Sequence, residues 1–389
     1  MSLRLLLLSC LLSACSETAE ILVPPDGGVG DSGVVPPQNV DLGAGQDHAL
    51  VIRDGALYGF GLNDRAQLGL GGPSGPTFPA TRVGQEARWI QAVAGSVSAC
   101  ALDADRALWC AGGNDNGQLG VGDTNPRSAL ATVAGRYASV ALRFDHGCAI
   151  GPDASLWCWG SNAEGNLGQD DGGRIVGDTP QPIAVAVGRS FAQVSSGQGH
   201  TCAIETSGAL WCWGRNSDGE LGLGPGQDGQ IRAPRAVTPG RSWRAVSAGQ
   251  NSSCGIDAEG KLYCWGGNDN AELGLGDLNR RDEPTQLSPD TDWISLSLNT
   301  FHGCALKADH SLYCWGRNVE GQLGLGDTDL RLRPTRVPGA ADWIAVGAGR
   351  FFTCAAKDDR SIWCAGKNEQ AQLGLEDLTR RSTFTRLPL

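Results

Sequence analysis

Twelve of the fourteen cysteines stand in six pairs of identical spacing: Cys100 with Cys110, Cys148 with Cys158, Cys202 with Cys212, Cys254 with Cys264, Cys304 with Cys314 and Cys354 with Cys364. Thiols so arranged could hold a soft metal, run redox chemistry or form disulfides. The spacing lacks the Cys-x-x-Cys knuckle of a zinc site. Upstream, GQDHALVIRDGALYGFG (Gly45 to Gly61) matches GQGHTCAIETSGALWCWG (Gly197 to Gly214), and there Leu50 and Gly59 replace both members of a pair together. Joint loss is what a bond between the two predicts. The pairs are therefore read as disulfides of a protein folded in an oxidising compartment.

Histidine recurs two residues upstream of the first cysteine position, as His48, His146, His200 and His302, with Ser98, Ser252 and Phe352 in the other copies. A ring of histidines invites a metal, but no carboxylate or second ligand recurs at short spacing, so the expectation is a structural hydrogen bond and no metal or cofactor. The stretch NDNGQLGVGD from Asn114 has closely spaced oxygens, yet a calcium loop needs several carboxylates and only Asp115 and Asp123 are at hand. Its Asn is read as serving a left-handed backbone and its Gly as allowing close contact with a neighbour. Gly-x-Ser-x-Gly, HExxH, Walker and Rossmann signatures are missing, and Asp257-Ala-Glu-Gly260 resembles a sialidase Asp-box only distantly, so no catalytic residue is expected.

The elements that must position these residues repeat about every 50 residues, the period of propeller blades. Gly-x-Asn-x-x-(Gly/Ala)-(Gln/Glu/Asn)-Leu-Gly follows each hairpin, with Asn63, Asn114, Asn162, Asn216, Asn268, Asn318 and Asn368 marking seven copies. In the last copy, Trp343 to Gly349, Thr353 to Lys357, Ser361 to Gly366 and Phe384 to Leu387 read as four short strands, and no helical period occurs. Leu210-Trp211-Cys212-Trp213 leaves its strand no polar face, so both faces of each sheet must be covered. Radial packing of like sheets does this. The expected fold is all-β, a seven-bladed β-propeller of four-stranded blades over 38–389 with intra-blade disulfides, each staple contributing about 2–3 kcal/mol. Which blade receives the last strand is left open.

Residues 1–14 carry Arg4 and the apolar run Leu5 to Leu8, too short to span a bilayer, and read as an export signal. Leu12-Ser13-Ala14-Cys15 resembles the bacterial lipobox, which implies lipidation of Cys15. Residues 15–37 (VPPDGGVGDSGVVPP within them) read as a flexible tether, and Ser16 resembles an outer-membrane sorting residue. The expected location is the cell envelope, with membrane contact through the lipid alone. With 31 Lys and Arg against 42 Asp and Glu, the net charge of −11 points away from nucleic acid.

The pattern Gly-x-x-His-(Thr/Ser)-x-Ala-(Leu/Ile), then Gly-x-Leu-(Trp/Tyr)-x-Trp-Gly-x-Asn-x-x-Gly-Gln-Leu-Gly, as in GQGHTCAI at Gly197 and GRNVEGQLGLGD at Gly316, resembles the regulator of chromosome condensation repeat. The likeness runs from Val40 to Leu389 and implies a seven-bladed propeller; the paired cysteines resemble exported bacterial members. The family's founding activity is guanine-nucleotide exchange on chromatin, which export, oxidation and acidity disfavour. A photoreceptor branch uses Gly-Trp-Arg-His-Thr, where this chain has Gln198-Gly199 or Arg350-Phe351. A secreted bacterial inhibitor of β-lactamase, which acts by binding alone, is the nearer analogue.

Function is sought where seven otherwise equivalent copies differ. After the inner strand stand Gln46 and Asp47, Phe144 and Asp145 beside Arg143, Gln198, Gln250 and Asn251, Phe301, and Arg350 and Phe351. Arginine and aromatics are residue types enriched at binding hot spots; the phenylalanines could equally plug the shaft or pack on the next blade. The loops Gln169 to Pro182 and Pro225 to Arg235 are either binding loops or tolerated insertions. The expected function is a scaffold binding a protein partner without turnover. Inhibition of an extracellular enzyme, glycan binding and a propeller glycan hydrolase stand as alternatives.

Overall fold

The computed structural model describes residues 40–169 and 177–389. Cys15, the leader, the tether and the middle of the Gln169 to Pro182 loop lie outside the described residues. Seven four-stranded antiparallel sheets follow one another along the chain. We number them as blades 1 to 7, over 40–87, 89–132, 139–185, 191–236, 243–286, 293–336 and 343–386. Blade 5 is representative: β17 (Trp243–Ala248), β18 (Ser252–Asp257), β19 (Leu262–Gly266) and β20 (Arg281–Gln286) pair in sequence order from shaft to rim. The open question of closure is answered by β28 (Arg381–Arg386), which stays in its own blade beside β27 (Ile362–Gly366). No strand is exchanged to close the ring. Leu42, Val51 and Phe60 of blade 1 instead pack with Phe352, Ile362 and Leu373 of blade 7. Backbone bonds from Arg350 N–H to Gly45 O (3.1 Å) and from Ala80 N–H to Gly374 O (3.2 Å) cross the same boundary.

Neighbouring blades meet at a glycine under an indole. The glycine ending each Leu-Gly motif has positive φ, and in blades 2 to 5 a Cβ there would fall within 3.0 Å of a tryptophan of the next blade: Gly120 against Trp159, Gly168 against Trp213, Gly222 against Trp265, Gly274 against Trp315. Each buried indole N–H then donates to a carbonyl of the preceding blade, at Gln118, Asn166, Glu220 and Glu272, over 2.8–2.9 Å. Where the third strand carries Ala111 or Ala365 instead, the outer strand fills the space: Leu130 covers Gly69 and Phe384 covers Gly324. The repeat tolerates loss of its tryptophan because the fourth strand can supply the missing volume.

Inner strands splay about the shaft, and polar side chains lace them together. Asp41 accepts from Ala92 N–H. Gln91 and Gln193 each make two bonds, to both backbone groups of Val140 and of Val246. Ser195, Ser247 and Ser297 accept from Ala248, Leu298 and Ala348 N–H at 3.0 Å. These residues are buried and bonded, which meets the requirement that a polar group leaving water find a partner.

The motif asparagine works differently from the sequence expectation. It is not among the positive-φ residues; that conformation falls three residues later, at Ala66, Gly117, Gly165, Gly219, Ala271, Gly321 and Ala371. The buried Asn acts through its amide: Asn268 Oδ1 accepts Leu273 N–H (3.0 Å), while Nδ2 donates to Asp277 and Asn279 carbonyls. It therefore ties the loop shut from inside. Asp123, a calcium candidate, is similarly engaged, accepting Asn125 N–H and the Arg127 guanidinium. Blade 1 departs from the expected short outer strand, since β4 (Ser74–Ala87) runs through 14 residues with three register irregularities.

The six disulfides form as read, each between directly opposed residues of the second and third strands, with Cα atoms 4.0–4.1 Å apart. In blade 1 Leu50 faces Gly59, where a Cβ would meet Leu50 Cδ2 at 3.2 Å, so one leucine fills the space of the missing bond. Replacing Cys254 and Cys264 together by Ala is expected to lower unfolding free energy by about 2–3 kcal/mol, read by denaturant titration, with the other five bonds intact by mass spectrometry.

Candidate functional site

Loops joining first to second strands and third to fourth strands share one face of the propeller, because each second strand starts opposite the end of the third: His48 pairs Gly61 and His302 pairs Gly316. The residues singled out from sequence line this face around the shaft. Gln46, Asp47, Phe144, Asp145, Gln198, Gln250, Asn251, Phe301, Arg350 and Phe351 are all half-buried there. Arg143 is a correction. It stands where blades 1, 2, 4, 5 and 7 have glycine, is only 3 % exposed, and donates from Nη2 to Leu298 O of blade 6 at 2.9 Å. Its guanidinium links blade 3 to blade 6, so it belongs to the frame. The other non-glycine at this position is Asn299, which donates to Ala348 O at 2.7 Å.

The exposed groups are unevenly distributed. At blades 6 and 7 the rings of Phe301 and Phe351 stack, 5.2 Å between centroids and 24° apart. Arg317 lies 5.1 and 5.6 Å from these rings, Arg350 6.0 and 5.0 Å, and the Lys367 ammonium 5.7 Å from Phe351. Three cations thus surround one aromatic pair, a geometry that offers both flat apolar area and positive charge. Phe301 thus packs on the next blade, as one reading of the sequence allowed, yet both rings stay half-buried on the face. Arg317, Lys367 and Arg215 escaped the sequence reading. They occupy the variable position of Gly-x-Asn, and their backbone N–H groups donate to Phe301 O, Phe351 O and Gly199 O. Variation inside an otherwise fixed motif was the signal.

The remaining arc is acidic or neutralised. Burial pushes the Asp47 carboxyl up, opposed by Lys367 and Arg350. Burial also raises Asp145, with Asp178 and Asp115 adding to it and an Asn116 hydrogen bond opposing. Arg215 is spent on Glu220, Nε to Oε1 at 2.7 Å. Glu272, the matching residue of blade 5, has Gly267 where Arg215 would stand, and burial pushes its carboxyl to about 7.

The histidines make blade-to-blade bonds. Nε2 of His146, His200 and His302 lies 2.8–2.9 Å from the hydroxyl of Thr201, Ser253 and Thr353 in the following blade. Those hydroxyls donate to Asn166, Glu220 and Gln322 carbonyls, so each must accept from imidazole N–H. His48 faces Ala99, and its ring nitrogens make no hydrogen bond; the Ser98 backbone favours its charged form without bonding geometry. Blades lacking the histidine are followed by Gly147, Gly303 and Ala49, so ring and hydroxyl occur together across each boundary except the first.

Seven tandem four-stranded blades, with a repeated His–hydroxyl link and the Gly-x-Asn…Leu-Gly loop, define a propeller of the chromosome-condensation-regulator class. The RCC1-like domain model matches residues 76–388, and the chain belongs to that family. Among characterised relatives it is 29% identical to the ultraviolet-B receptor UVR8 of Arabidopsis thaliana over 249 residues, 61% of this chain and 56% of that protein. It is 26% identical to the human E3 ubiquitin-protein ligase HERC2 over 252 residues, 62% of this chain and 5% of that one. The chain thus spans about half, or far less, of these relatives' length. Yeast RCC1 (Prp20), solved bound to Kap60, superposes with a TM-score of 0.76 at 19% identity, over 98% of this chain and 91% of that one. Human WBSCR16 gives 0.70 at 21%, over 80% and 85%. At these identities the structures show the fold.

Buried neutral histidines are pushed down from the ordinary imidazole value: His48 and His146 to about 4, His200 and His302 to about 3. The unfolded chain takes up these protons below about pH 6.5 and the folded one does not. Their contribution is complete above pH 6.5 and is lost as pH falls toward 3–4, so the melting temperature should drop across that window. Glu272 runs the other way, since its folded value lies above the unfolded one and its cost appears as pH rises from about 4.5 to 7. Glu272→Gln keeps the acceptor for Asn270 N–H and should stabilise by about 1–3 kcal/mol at pH 8 but little at pH 4.5. Ala99→Ser supplies His48 with its hydroxyl and is expected to add about 1 kcal/mol at neutral pH, measured by denaturant titration.

Proposed function

We propose that this chain is an exported binding scaffold that holds an acidic segment of a protein partner on the blade 6–7 sector of its ring face. The observation that carries this reading is the Phe301–Phe351 stack ringed by Arg317, Arg350 and Lys367. Three positive groups converge beside apolar rings in a chain of net charge −11, and Glu369 on Lys367 at 3.4 Å with Asp47 nearby offsets them only in part. An acidic side chain against the guanidinium groups, flanked by an apolar one on the rings, satisfies both. Propellers of this family bind proteins, as the yeast RCC1 complex with Kap60 illustrates for that protein. Six disulfides support folding outside the reducing cytosol. The lipobox-like Leu12 to Cys15 supports attachment to a bacterial envelope. Binding without turnover is part of the proposal.

Phe301→Ser, Phe351→Ser and Arg350→Ser combined test it against the parent as paired baits in envelope and culture extracts. The expected result is a protein retained by the parent alone, weakening at least tenfold between about 0.1 and 0.5 M salt, with both baits melting alike. Equal retention by the two baits overturns the assignment to this sector.

A further inference from the structure

The opposite face carries a second set of aromatics, one per blade in the third strand: Tyr58, Trp109, Trp157, Trp211, Tyr263, Tyr313 and Trp363. In five blades a cation lies on or beside the ring. Arg189 sits 3.8 Å from Trp211, Arg241 4.0 Å from Tyr263, Lys307 5.3 Å from Tyr313, Lys357 4.9 Å from Trp363 and Arg88 5.5 Å from Trp109. Tyr58 of blade 1 and Trp157 of blade 3 have no such cation among the described residues, and of the two only Trp157 also lacks a charged residue at the end of its second strand.

Two local changes account for this. The residue ending the second strand is itself the cation in blades 6 and 7 (Lys307, Lys357) and in blades 2, 4 and 5 is an acid, Asp103, Glu205 or Asp257, that pairs with the arginine over the ring, but it is Gly151 in blade 3. The connection that brings Arg189 and Arg241 over their rings has five residues in those blades, 186–190 and 238–242, and only three, 134–136, before Tyr137. A cleft of about 500 Å³ lies over Trp157, walled by Pro152, Pro182 and Tyr137, within the size range of small-ligand sites. The matching clefts of blades 4 and 5, about 530 and 600 Å³, are instead lined by Arg189 with Glu205 and by Arg241 with Asp257.

The cleft floor is ordered. Trp157 Nε1 donates to Ser155 Oγ (2.8 Å), which donates to Asp153 Oδ1 (2.5 Å). Blade 7 repeats this chain as Trp363, Ser361 and Asp359, with Lys357 as its lid. Blade 3 is the same construction uncovered. Gly151 is part of it, because a Cβ there would fall 2.7 Å from both Asp153 Oδ1 and Ser155 Oγ.

From this geometry we infer that the Trp157 cleft is a binding site for a neutral sugar ring of a glycan. One flat indole, its N–H already turned inward, offers a stacking surface the size of a single pyranose. Exposed Asp153 accepts hydroxyl hydrogens, exposed Gln181 and Arg136 donate, and the charges of Asp153 and Arg136 cancel, which suits an uncharged polyol. A proline helix needs successive aromatic ridges, but Tyr137 is only 3 % exposed and donates to Ala134 O, leaving one. The site is on the face opposite the protein-binding sector and does not depend on it.

Saturation-transfer NMR on the full chain with maltotriose, cellotriose, chitotriose, mannotriose and decaproline tests the inference. At least one trisaccharide is expected to bind with a Kd on the order of 1 mM or tighter. Gly151→Lys, which adds the cation of blade 7 and also presses on Asp153 and Ser155 of the floor, should weaken that binding at least tenfold. Asp153→Ala should weaken it severalfold with an unchanged melting temperature. Phe351→Ser on the other face should leave it intact. Absence of transfer to all four sugars, binding that survives Gly151→Lys, or decaproline binding in place of sugar each overturns the proposal.

Discussion

A sheet with two apolar faces can bury them only against other sheets, and here each junction is a glycine lying under a large side chain of the next blade, Leu130 at the first and an aromatic ring at the other six. A buried tryptophan removes roughly 150–250 Å² from water, worth about 4–6 kcal/mol by area. That area is gained only if the neighbouring backbone comes close, which a Cβ at Gly120, Gly168, Gly222 or Gly274 prevents. The indole N–H would lose its water on burial, and the carbonyl at the same loop replaces it. Packing, backbone conformation and hydrogen bonding are satisfied by one contact, so the loop motif and the tryptophan must be spaced as they are. The disulfides act after this, within blades, and blade 1 shows that a leucine against a glycine can take their place.

Closure follows from the same junction. Phe60 over Gly374 repeats the glycine–aromatic contact between the last blade and the first, so the ring needs no exchanged strand. The shaft is then the remaining weak point, since seven inner strands cannot pair with one another around a circle. Side chains bridge them, and Arg143 spans the gap from blade 3 to blade 6. A glycine at that position would lack this link.

Period, blade count, strand order within a blade and cysteine pairing were legible because each repeats seven times or nearly so, and repetition separates frame from ornament. The motif asparagine was misread for a physical reason: Asn both adopts left-handed backbone and closes loops with its amide, and composition does not distinguish the two. Arg143 was misassigned because a ring position identifies a loop, not whether its side chain turns outward or across the shaft. Arg317 and Lys367 were missed because they lie about 16 residues from Phe301 and Phe351 along the chain, and only the antiparallel pairing of second and third strands sets them side by side. The bare Trp157 was hidden in a difference of two residues in a connection, which looks like ordinary loop variation until the cations of five other blades are seen in place.

Cations and aromatics meet on both faces, and their surroundings give them different meanings. Lys307 and Lys357 lie over rings while also bonded to Asp290, Asp292 or Asp342, so both ends of the lysine are occupied within the blade. Such an arrangement seals the edge of the sheet and leaves little for a partner. On the ring face Arg350 and Arg317 reach the phenylalanines without a carboxylate at salt-bridge distance among the described residues. Lys367 has one only at 3.4 Å, on an exposed Glu369. A guanidinium held by a ring and only a distant carboxylate, as Arg350 is by Asp47, keeps part of its hydrogen-bonding capacity for a partner. The same pair of residue types therefore acts as a lid where an internal acid completes it and as an open acceptor of outside charge where none does. Trp157 completes the series as an aromatic with no cation stacked on it among the described residues, its neighbours Asp153 and Arg136 lying at the cleft wall, which is the arrangement the glycan proposal uses.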